Sequence, residues 1–333
     1  SGVKGDESVV AEGEYAGMTL PELIGQLKGE LVGHAVYERH GTEFPLLVKF
    51  IDARQDLSIQ VHPNDVLARM RHGKNGKTEM WYIIDAEPGA GLTDVFTGGV
   101  LDATVKGEPG ALKMPPEYVK AACDEAHRLG YKVAAHVESP EGVRVALENG
   151  VDTIEHGAKP DEHIISLFKE RGAALVTTIS PALPYALFDR EVSHITETEK
   201  YNGEVVFNGM IDCARACLAA GITVGLGTDT GCPYITHYDM WRELNYFHKY
   251  CGVSNAFALH TATMINAEIA GLSDVTGSIA AGKCADFVVT EQNPLDSLEA
   301  LRTPAMVVAR GEVFNAPKVK KMAQVERQLD LYK

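Results

Sequence analysis

The chain has 333 residues, 45% of them hydrophobic and 23% charged, which suits a globular protein of one large or two ordinary domains. Its net charge of −15 argues against nucleic acid and anionic membranes as partners, because both attract cationic surfaces. No apolar run is long enough to span a bilayer, and the polar, acidic first residues predict no signal peptide. Six scattered cysteines do not make a disulfide framework, so we expect a cytoplasmic protein.

The first 92 residues are dominated by short segments in which apolar and polar residues alternate. The segments are residues 44–51, 57–62 and 79–84. Polar turns separate them, and helix is favoured only at Leu20–Leu27 and over a short stretch at residues 65–71. Several short strands at such spacing predict an antiparallel β-sandwich or barrel.

Three residues of this part have side chains suited to metal binding. Gln60 and His62 are two apart on a predicted strand and therefore project from one face, and Glu79 begins the next strand. Such a trio suits Zn²⁺ or a similar divalent ion if a fourth ligand is supplied. The alternative is a polar face of the sheet without a metal.

Two motifs in this part, Ser58-Ile-Gln-Val-His-Pro63 and Gly76-Lys-Thr-Glu-Met-Trp-Tyr82, closely resemble type I mannose-6-phosphate isomerase, a zinc cupin. The resemblance covers residues 1–92 and implies that Gln60, His62 and Glu79 match zinc ligands. It also implies that Ser58 and Lys77 lie near the sugar phosphate. The chain leaves the family pattern near residues 91–92, before the fourth ligand, so we expect an incomplete cupin.

From residue 95 onward, the pattern alternates between strands and helices, which predicts βαβ units and a parallel sheet. Strands are predicted at residues 132–136, 152–156, 173–179 and 223–229. Helices are predicted at residues 115–130, 139–150, 161–171, 204–220, 240–250, 255–270 and 318–331, and further strands at 285–290 and 305–314. An insertion at residues 180–201, which carries Tyr185, Asp189 and His194, is predicted to act as a lid or substrate loop.

Three of the predicted strands end in residues that bind metals. His136 and His156 end the first two, and Asp229 follows the last. Parallel strands direct their carboxyl ends to one side, so we expect these three side chains to meet there. Two neutral imidazoles would hold a divalent ion, with zinc the expected one, and Asp229 would also carry the catalytic proton.

This half of the chain resembles the amidohydrolase superfamily, in particular its imidazolonepropionase-like and Xaa-Pro dipeptidase branch. The motifs that carry the resemblance include Ala134-Ala-His-Val-Glu138, Ile154-Glu-His-Gly157 and Gly227-Thr-Asp-Thr-Gly231. It implies a (β/α)₈ barrel in which His136, His156 and Asp229 are metal ligands on the fifth, sixth and eighth strands. It also implies a small β-sandwich that includes residues after Gly277.

Two features of that family are missing from the chain. There is no His-x-His motif, and either Thr93 or Asp94 stands where the family has a metal-bridging lysine. We therefore expect a junction near residues 90–95 that joins an α/β partial barrel (strands 4–8) to the cupin-like front. The predicted domains are residues 1–92, 93–276 and 277–333.

The expected function is metal-dependent hydrolysis of an amide or peptide bond in a small-molecule substrate, with an incomplete metal site. His237, just past the Asp229 strand, is a candidate for substrate contact. The alternatives are a zinc-dependent mannose-6-phosphate isomerase and a non-catalytic chimera of the two. Homo-oligomerisation stays open.

Overall fold

The computed structural model describes residues 7–42, 109–112 and 114–333, and the backbone of residues 92–95. The chain divides into two compact units, residues 1–82 and 83–333. The strands predicted at residues 44–51, 57–62 and 79–84, and the helix at 65–71, lie outside the described residues. The domain boundaries predicted at 92/93 and 276/277 stay predictions.

The first unit contains three helices among its described residues: α1 (Leu20–Leu27), α2 (Gly29–Val32) and α3 (His34–His40). The predicted bounds of α1 are confirmed. Thr19 and Glu22 form a reciprocal capping box at its start, which satisfies two backbone N–H groups. The sequence did not predict α2 and α3, which are short and are separated by Gly33.

The second unit is built on five parallel strands that neighbour one another in chain order. They are β1 (Leu92–Val95), β2 (Val133–Val137), β3 (Thr153–His156), β4 (Ala174–Thr177) and β5 (Val224–Leu226). This arrangement confirms the α/β class and the parallel sheet. The four strands predicted between residues 132 and 229 are present as β2 to β5. β2 has its predicted length, shifted by one residue, whereas β3, β4 and β5 are shorter than the predicted segments.

Helices α4 (Pro116–Arg128), α5 (Pro140–Glu148) and α6 (Glu162–Arg171) lie where the sequence predicts them. Ser139 caps α5 by accepting a hydrogen bond from the Gly142 N–H, and Asp161 caps α6 through Ile164 N–H. Leu129 follows the end of the helix and is 44% exposed.

One face of the parallel sheet packs into the main hydrophobic core. Val133, Ala135 and Val137 of β2 are buried there with Ile154 and Leu175 of the neighbouring strands. The alternating residues of β2, Ala134 and His136, are only half-buried because they project from the opposite face. The candidate site therefore lies on the face of the sheet away from this core.

The insertion at residues 180–201 is helical, which differs from the expected loop. It contains most of α7 (Ile179–Leu187), all of α8 (Arg190–Ser193) and the start of α9 (Glu197–Ala219). Helix α9 begins seven residues before its predicted start, because Thr196 and Glu199 form a capping box there. Ile179, Leu183 and Phe188 anchor the segment in a second buried cluster.

After β5, the chain forms α10 (Met240–Cys251), α11 (Asn255–His260), a π-helix (Thr261–Ile265) and α12 (Asn266–Ile269). Three antiparallel strands follow: β6 (Phe287–Val289), β7 (Met306–Ala309) and β8 (Glu312–Asn315). A 3₁₀ helix (Leu298–Arg302) lies between β6 and β7, and α13 (Ala323–Leu329) ends the fold. Among the described helices, none combines the length and apolar character needed to cross a bilayer.

Helix α13 is tied to the rest of the unit by a buried group of charges. Arg242 of α10 is 2% exposed and lies 2.8 Å from Asp330 and 3.2 Å from Glu326. Arg302 reaches the same two carboxylates at 3.0 and 2.8 Å. Removing one member of such a cluster would leave a buried charge uncompensated, so the C-terminal helix is held firmly in place.

Candidate metal centre

The two imidazoles predicted as metal ligands lie side by side at the carboxyl ends of β2 and β3. Their ring centroids are 4.5 Å apart, with the rings edge to face. The parallel register of the two strands explains the approach, because His136 stands opposite Glu155 and Val137 opposite His156. Long-range strand pairing thus brings together two histidines that are 20 residues apart in the sequence.

The backbone of His156 is left-handed, with φ of +70°. In an extended strand, alternation would place its side chain on the face of Ile154, which belongs to the main core. The left-handed conformation ends the strand and places the ring against His136 instead. Non-glycine residues adopt such φ values at an energetic cost that is often associated with functional sites.

The imidazole of His156 is neutral and its hydrogen bonding defines which nitrogen is available. Burial lowers the pKa of His156 to about 4. Its Nδ1 lies 2.5 Å from Thr178 Oγ1, and the Thr178 hydroxyl donates toward Met210 Sδ. We therefore assign the proton to Nδ1, which donates to Thr178 and leaves the lone pair of Nε2 for a metal ion.

Replacing Thr178 with valine is expected to lower divalent-metal affinity about 10- to 100-fold, because it removes the acceptor that orients His156. The measurement is zinc titration against a chelating dye. Thr177→Val is the matched control, since Thr177 is fully buried and its hydroxyl has no hydrogen-bond partner among the described residues. Equal zinc affinity in the two variants would contradict the assigned role of Thr178.

Asp229 lies in the loop that follows β5, two strands away from His156. It too has a left-handed backbone, with φ of +51°. The Cys232 thiol donates a hydrogen bond to Asp229 Oδ2 at 3.5 Å. In the described part of the chain, no three His, Cys, Asp or Glu side chains are close enough to hold a metal ion. The structure therefore brings the imidazoles of His136 and His156 together, and the binding of one metal ion by these two residues and Asp229 stays a prediction.

The strand that leads to Asp229 is held at its outer edge by one amide side chain. Asn266 Oδ1 accepts from Leu226 N–H at 2.9 Å, and Asn266 Nδ2 donates to the Leu226 carbonyl at 2.8 Å. A β-carbon at Gly225 would lie 2.8 Å from Asn266 Oδ1, so glycine is needed for this approach. Asn266 thus takes the place of a further strand beside β5 and fixes the path into the Asp229 loop.

Asn266→Ala is expected to destabilise the protein by about 2 kcal/mol, because both polar backbone groups of Leu226 lose their partner. Urea unfolding monitored by circular dichroism provides the measurement. Asn255→Ala is the control, since half-buried Asn255 donates a solvent-exposed hydrogen bond to the Leu295 carbonyl and its loss should change stability by less than about 0.5 kcal/mol. A similar loss in both variants would rule out a special role for Asn266.

The sequence reasoning missed several polar groups around the two histidines. Burial raises the pKa of Glu155 to about 7, and the charge of Asp229 contributes to the rise. Glu155 could have been noticed because it lies between Ile154 and His156 in the motif. Thr178 lies directly after β4, and nothing in the sequence connects it with His156.

The remaining predicted site residues are not joined to this centre by the structure. His237 is exposed, and its ring lies 5.1 Å from that of Tyr238. The pairing of β1 with β2 places Thr93 opposite Ala134 and Asp94 opposite Ala135. This pairing defines the backbone register of the two strands and does not join either side chain to the histidine pair. The predicted zinc ligands and phosphate contacts of the front part lie outside the described residues: Ser58, Gln60, His62, Lys77 and Glu79.

Two family models match the chain. The amidohydrolase family model covers residues 56–314. The catalytic domain of type I phosphomannose isomerase matches residues 4–91, so the two matches overlap. Both resemblances expected from the sequence motifs are thereby confirmed.

Relatives of known structure or function fall into the same two groups. A protein from Bifidobacterium longum assigned as a prolidase is 42% identical, with a TM-score of 0.67 over 72% of this chain and 59% of its own. A Xaa-Pro dipeptidase with bound methionine is 30% identical, with a TM-score of 0.60 over 68% of this chain and 54% of its own. Mannose-6-phosphate isomerase ManA of Bacillus subtilis is 49% identical over 85 residues, which are 25% of each protein. The chain thus spans between a quarter and three-fifths of these relatives.

Proposed function

Because this chain belongs to the amidohydrolase family, we propose that it hydrolyses an amide or peptide bond with the help of a divalent metal ion. Zinc is the expected ion. The observation that carries the proposal is the pair of imidazole rings 4.5 Å apart at the ends of β2 and β3. The relatives of this chain that are assigned as a prolidase and a Xaa-Pro dipeptidase support cleavage of a C–N bond.

The residues around this pair fit a divalent metal ion in their donor chemistry. His156 is buried and neutral, and hydrogen bonding at Nδ1 leaves Nε2 as the ligand atom. We propose His136, His156 and Asp229 as the residues that hold the ion. When bound there, the ion would supply a Lewis acid for the scissile carbonyl.

The chain's own groups account for the movement of protons in the proposed reaction. Water adds to the amide carbonyl while Asp229 accepts one of its protons. Asp229 then returns that proton to the leaving amine nitrogen as the C–N bond breaks, which yields a carboxylic acid and an amine. The hydrogen bond from Cys232 orients the Asp229 carboxyl for this task.

We further infer that β1 to β5 correspond to the last five strands of a (β/α)₈ barrel, and that β6 to β8 belong to a small sandwich. The parallel order β1-β2-β3-β4-β5 and the separate antiparallel sheet support this assignment. The chain spans 59% of the Bifidobacterium longum relative, so part of that barrel has no counterpart here.

A second candidate function is isomerisation of mannose 6-phosphate by the front part of the chain. It is favoured by the 49% identity to the Bacillus subtilis isomerase. Only a quarter of that enzyme is matched, and the motif that would supply a fourth zinc ligand is absent from the sequence. The third candidate, a non-catalytic chimera, predicts neither activity.

The proposal is tested by incubating the zinc-supplemented full chain with N-acyl amino acids, Xaa-Pro dipeptides and mannose 6-phosphate. Release of free amine from an N-acyl amino acid or a dipeptide is the expected result. Treatment with a chelator should abolish this release and re-addition of zinc should restore it. Turnover of mannose 6-phosphate alone would favour the isomerase, and no turnover of any substrate would favour the chimera.

A further inference from the structure

A pocket of about 220 Å³ opens beside the Asp229 loop, between the helices of the insertion and the segment that follows β5. It is lined by Pro184, Tyr185, Ser193, His194, Ile195, Glu199, Pro233 and Tyr234. Pro233 directly follows Cys232, whose sulfur lies 3.5 Å from Asp229 Oδ2. The pocket therefore begins within a few residues of the proposed catalytic carboxyl.

The size and lining of the pocket suit one side chain. Its volume is below the roughly 300–1,000 Å³ that is usual for a site enclosing a whole small molecule. Two proline rings, Pro184 and Pro233, and two aromatic rings, Tyr185 and Tyr234, face it together with Ile195. Flat rings gain both apolar burial and favourable stacking on such surfaces.

The electrostatic surroundings disfavour an acidic occupant. Glu199 lies in the lining, and its carboxylate is held by the Thr196 N–H at 2.6 Å. Burial, together with the nearby groups Cys232, Glu138 and Glu199, raises the pKa of Tyr185 to about 12. A carboxylate entering the pocket would lie beside the like charge of Glu199, which opposes its binding.

The walls of the pocket are fixed by packing. A β-carbon at Gly203 of α9 would lie 2.4 Å from Tyr185 Cβ, so α9 presses directly on the backbone of α7 there. Tyr234 donates from its hydroxyl to the Val192 carbonyl at 3.1 Å, which joins the two sides of the pocket. A preformed cavity of this kind binds its ligand without the cost of ordering a loop.

We propose that this pocket binds a single uncharged, ring-bearing side chain of the substrate, next to the bond that Asp229 would help to cleave. The proposal rests on the proposed amide hydrolysis for the nature of the substrate. It gives the segment predicted to be a lid or substrate loop the role of a rigid wall that determines specificity.

The test is a ligand-observed NMR titration of the full chain with three probes: N-acetylphenylalaninamide, N-acetylalaninamide and N-acetylaspartamide. The phenylalanine probe is expected to bind about 10-fold or more tightly than the other two. Ile195→Trp, which fills the pocket, should remove this preference. Ile195→Ala, which removes an apolar wall, should weaken only the phenylalanine probe. Val205→Trp is the control, because Val205 is exposed on α9 and is not part of the lining.

Equal affinity for the phenylalanine and alanine probes would overturn the proposal, and so would a preference that survives in both Ile195 variants. Unfolding midpoints of the variants show whether each has folded. Ring-selective binding without hydrolysis of any amide would support the pocket and refute the proposed function. Hydrolysis without ring selectivity would support the function and refute the pocket.

Discussion

Replacing His156 with alanine is expected to abolish metal binding in the second unit and to lower kcat/KM for amide hydrolysis roughly 100-fold or more. His156 is the better defined of the two paired imidazoles, because burial keeps it neutral and Thr178 fixes its tautomer. Its removal leaves His136 as the one imidazole of the pair, and a single imidazole is too few ligands for a divalent ion. Metal content by elemental analysis and initial rates of amine release are the two measurements.

The control for this variant is His163→Ala. His163 is 59% exposed and lies 3.7 Å from Glu148, an arrangement that contributes little to stability. His62→Ala separates the two proposed zinc sites, because it should affect only a site in the isomerase-like part. Retention of both zinc and hydrolysis by His156→Ala would refute the proposed metal centre. Loss of all zinc in His62→Ala alone would place the metal in the front part.

Replacing Glu243 with alanine is expected to destabilise the fold by about 3 to 5 kcal/mol. Glu243 is fully buried and accepts hydrogen bonds from Ile179 N–H at 2.6 Å, Ser180 N–H at 2.8 Å and the Ser180 hydroxyl. These N–H groups begin α7 and have no intrahelical partner, so alanine would leave them buried and unpaired. Urea unfolding gives the free energy, and Glu170→Ala on the exposed face of α6 is the control, with less than about 0.5 kcal/mol expected.

Glu243 also makes stability depend on pH in a definite direction. Burial raises its pKa from 4.5 to about 7, although hydrogen bonds from Ser180 and Ile179 oppose the rise. Because the folded pKa lies above the unfolded one, the stabilising contribution of Glu243 is complete below about pH 4.5 and is lost as the pH rises through 7. Relative to Glu243→Gln, the wild type should lose about 3 kcal/mol between pH 5 and pH 8. Parallel pH profiles of the two proteins would contradict the raised pKa.

Local sequence signals were sufficient for most of the described helices and parallel strands. The Thr19–Glu22 capping box, the Ser139 and Asp161 caps and Gly172 mark helix ends within the chain segment that forms them. Capping depends on residues three or four apart, so it can be read without knowing the fold. The strands β2 to β5 could be predicted in the same way, because each forms from a short run of apolar residues.

Signals that depend on distant residues were missed. The segment at 180–201 lacks a simple apolar period and contains two prolines, so a loop was expected. It folds as helices because Glu243, more than 60 residues away, caps α7 and because Tyr332 donates to the Leu187 carbonyl. Those contacts exist only once α10 and the C-terminal residues are in place.

The sequence by itself determined that His136 and His156 end parallel strands, and that Asp229 follows a third. It also determined the family, because its motifs are contiguous in the chain. Only the tertiary structure decided that His156 turns left-handed toward His136, that Thr178 selects its free nitrogen, and that Asn266 closes the edge of β5. The physical reason is that strand order and helix packing bring these partners together across 20 to 40 residues, separations over which no local periodicity carries information.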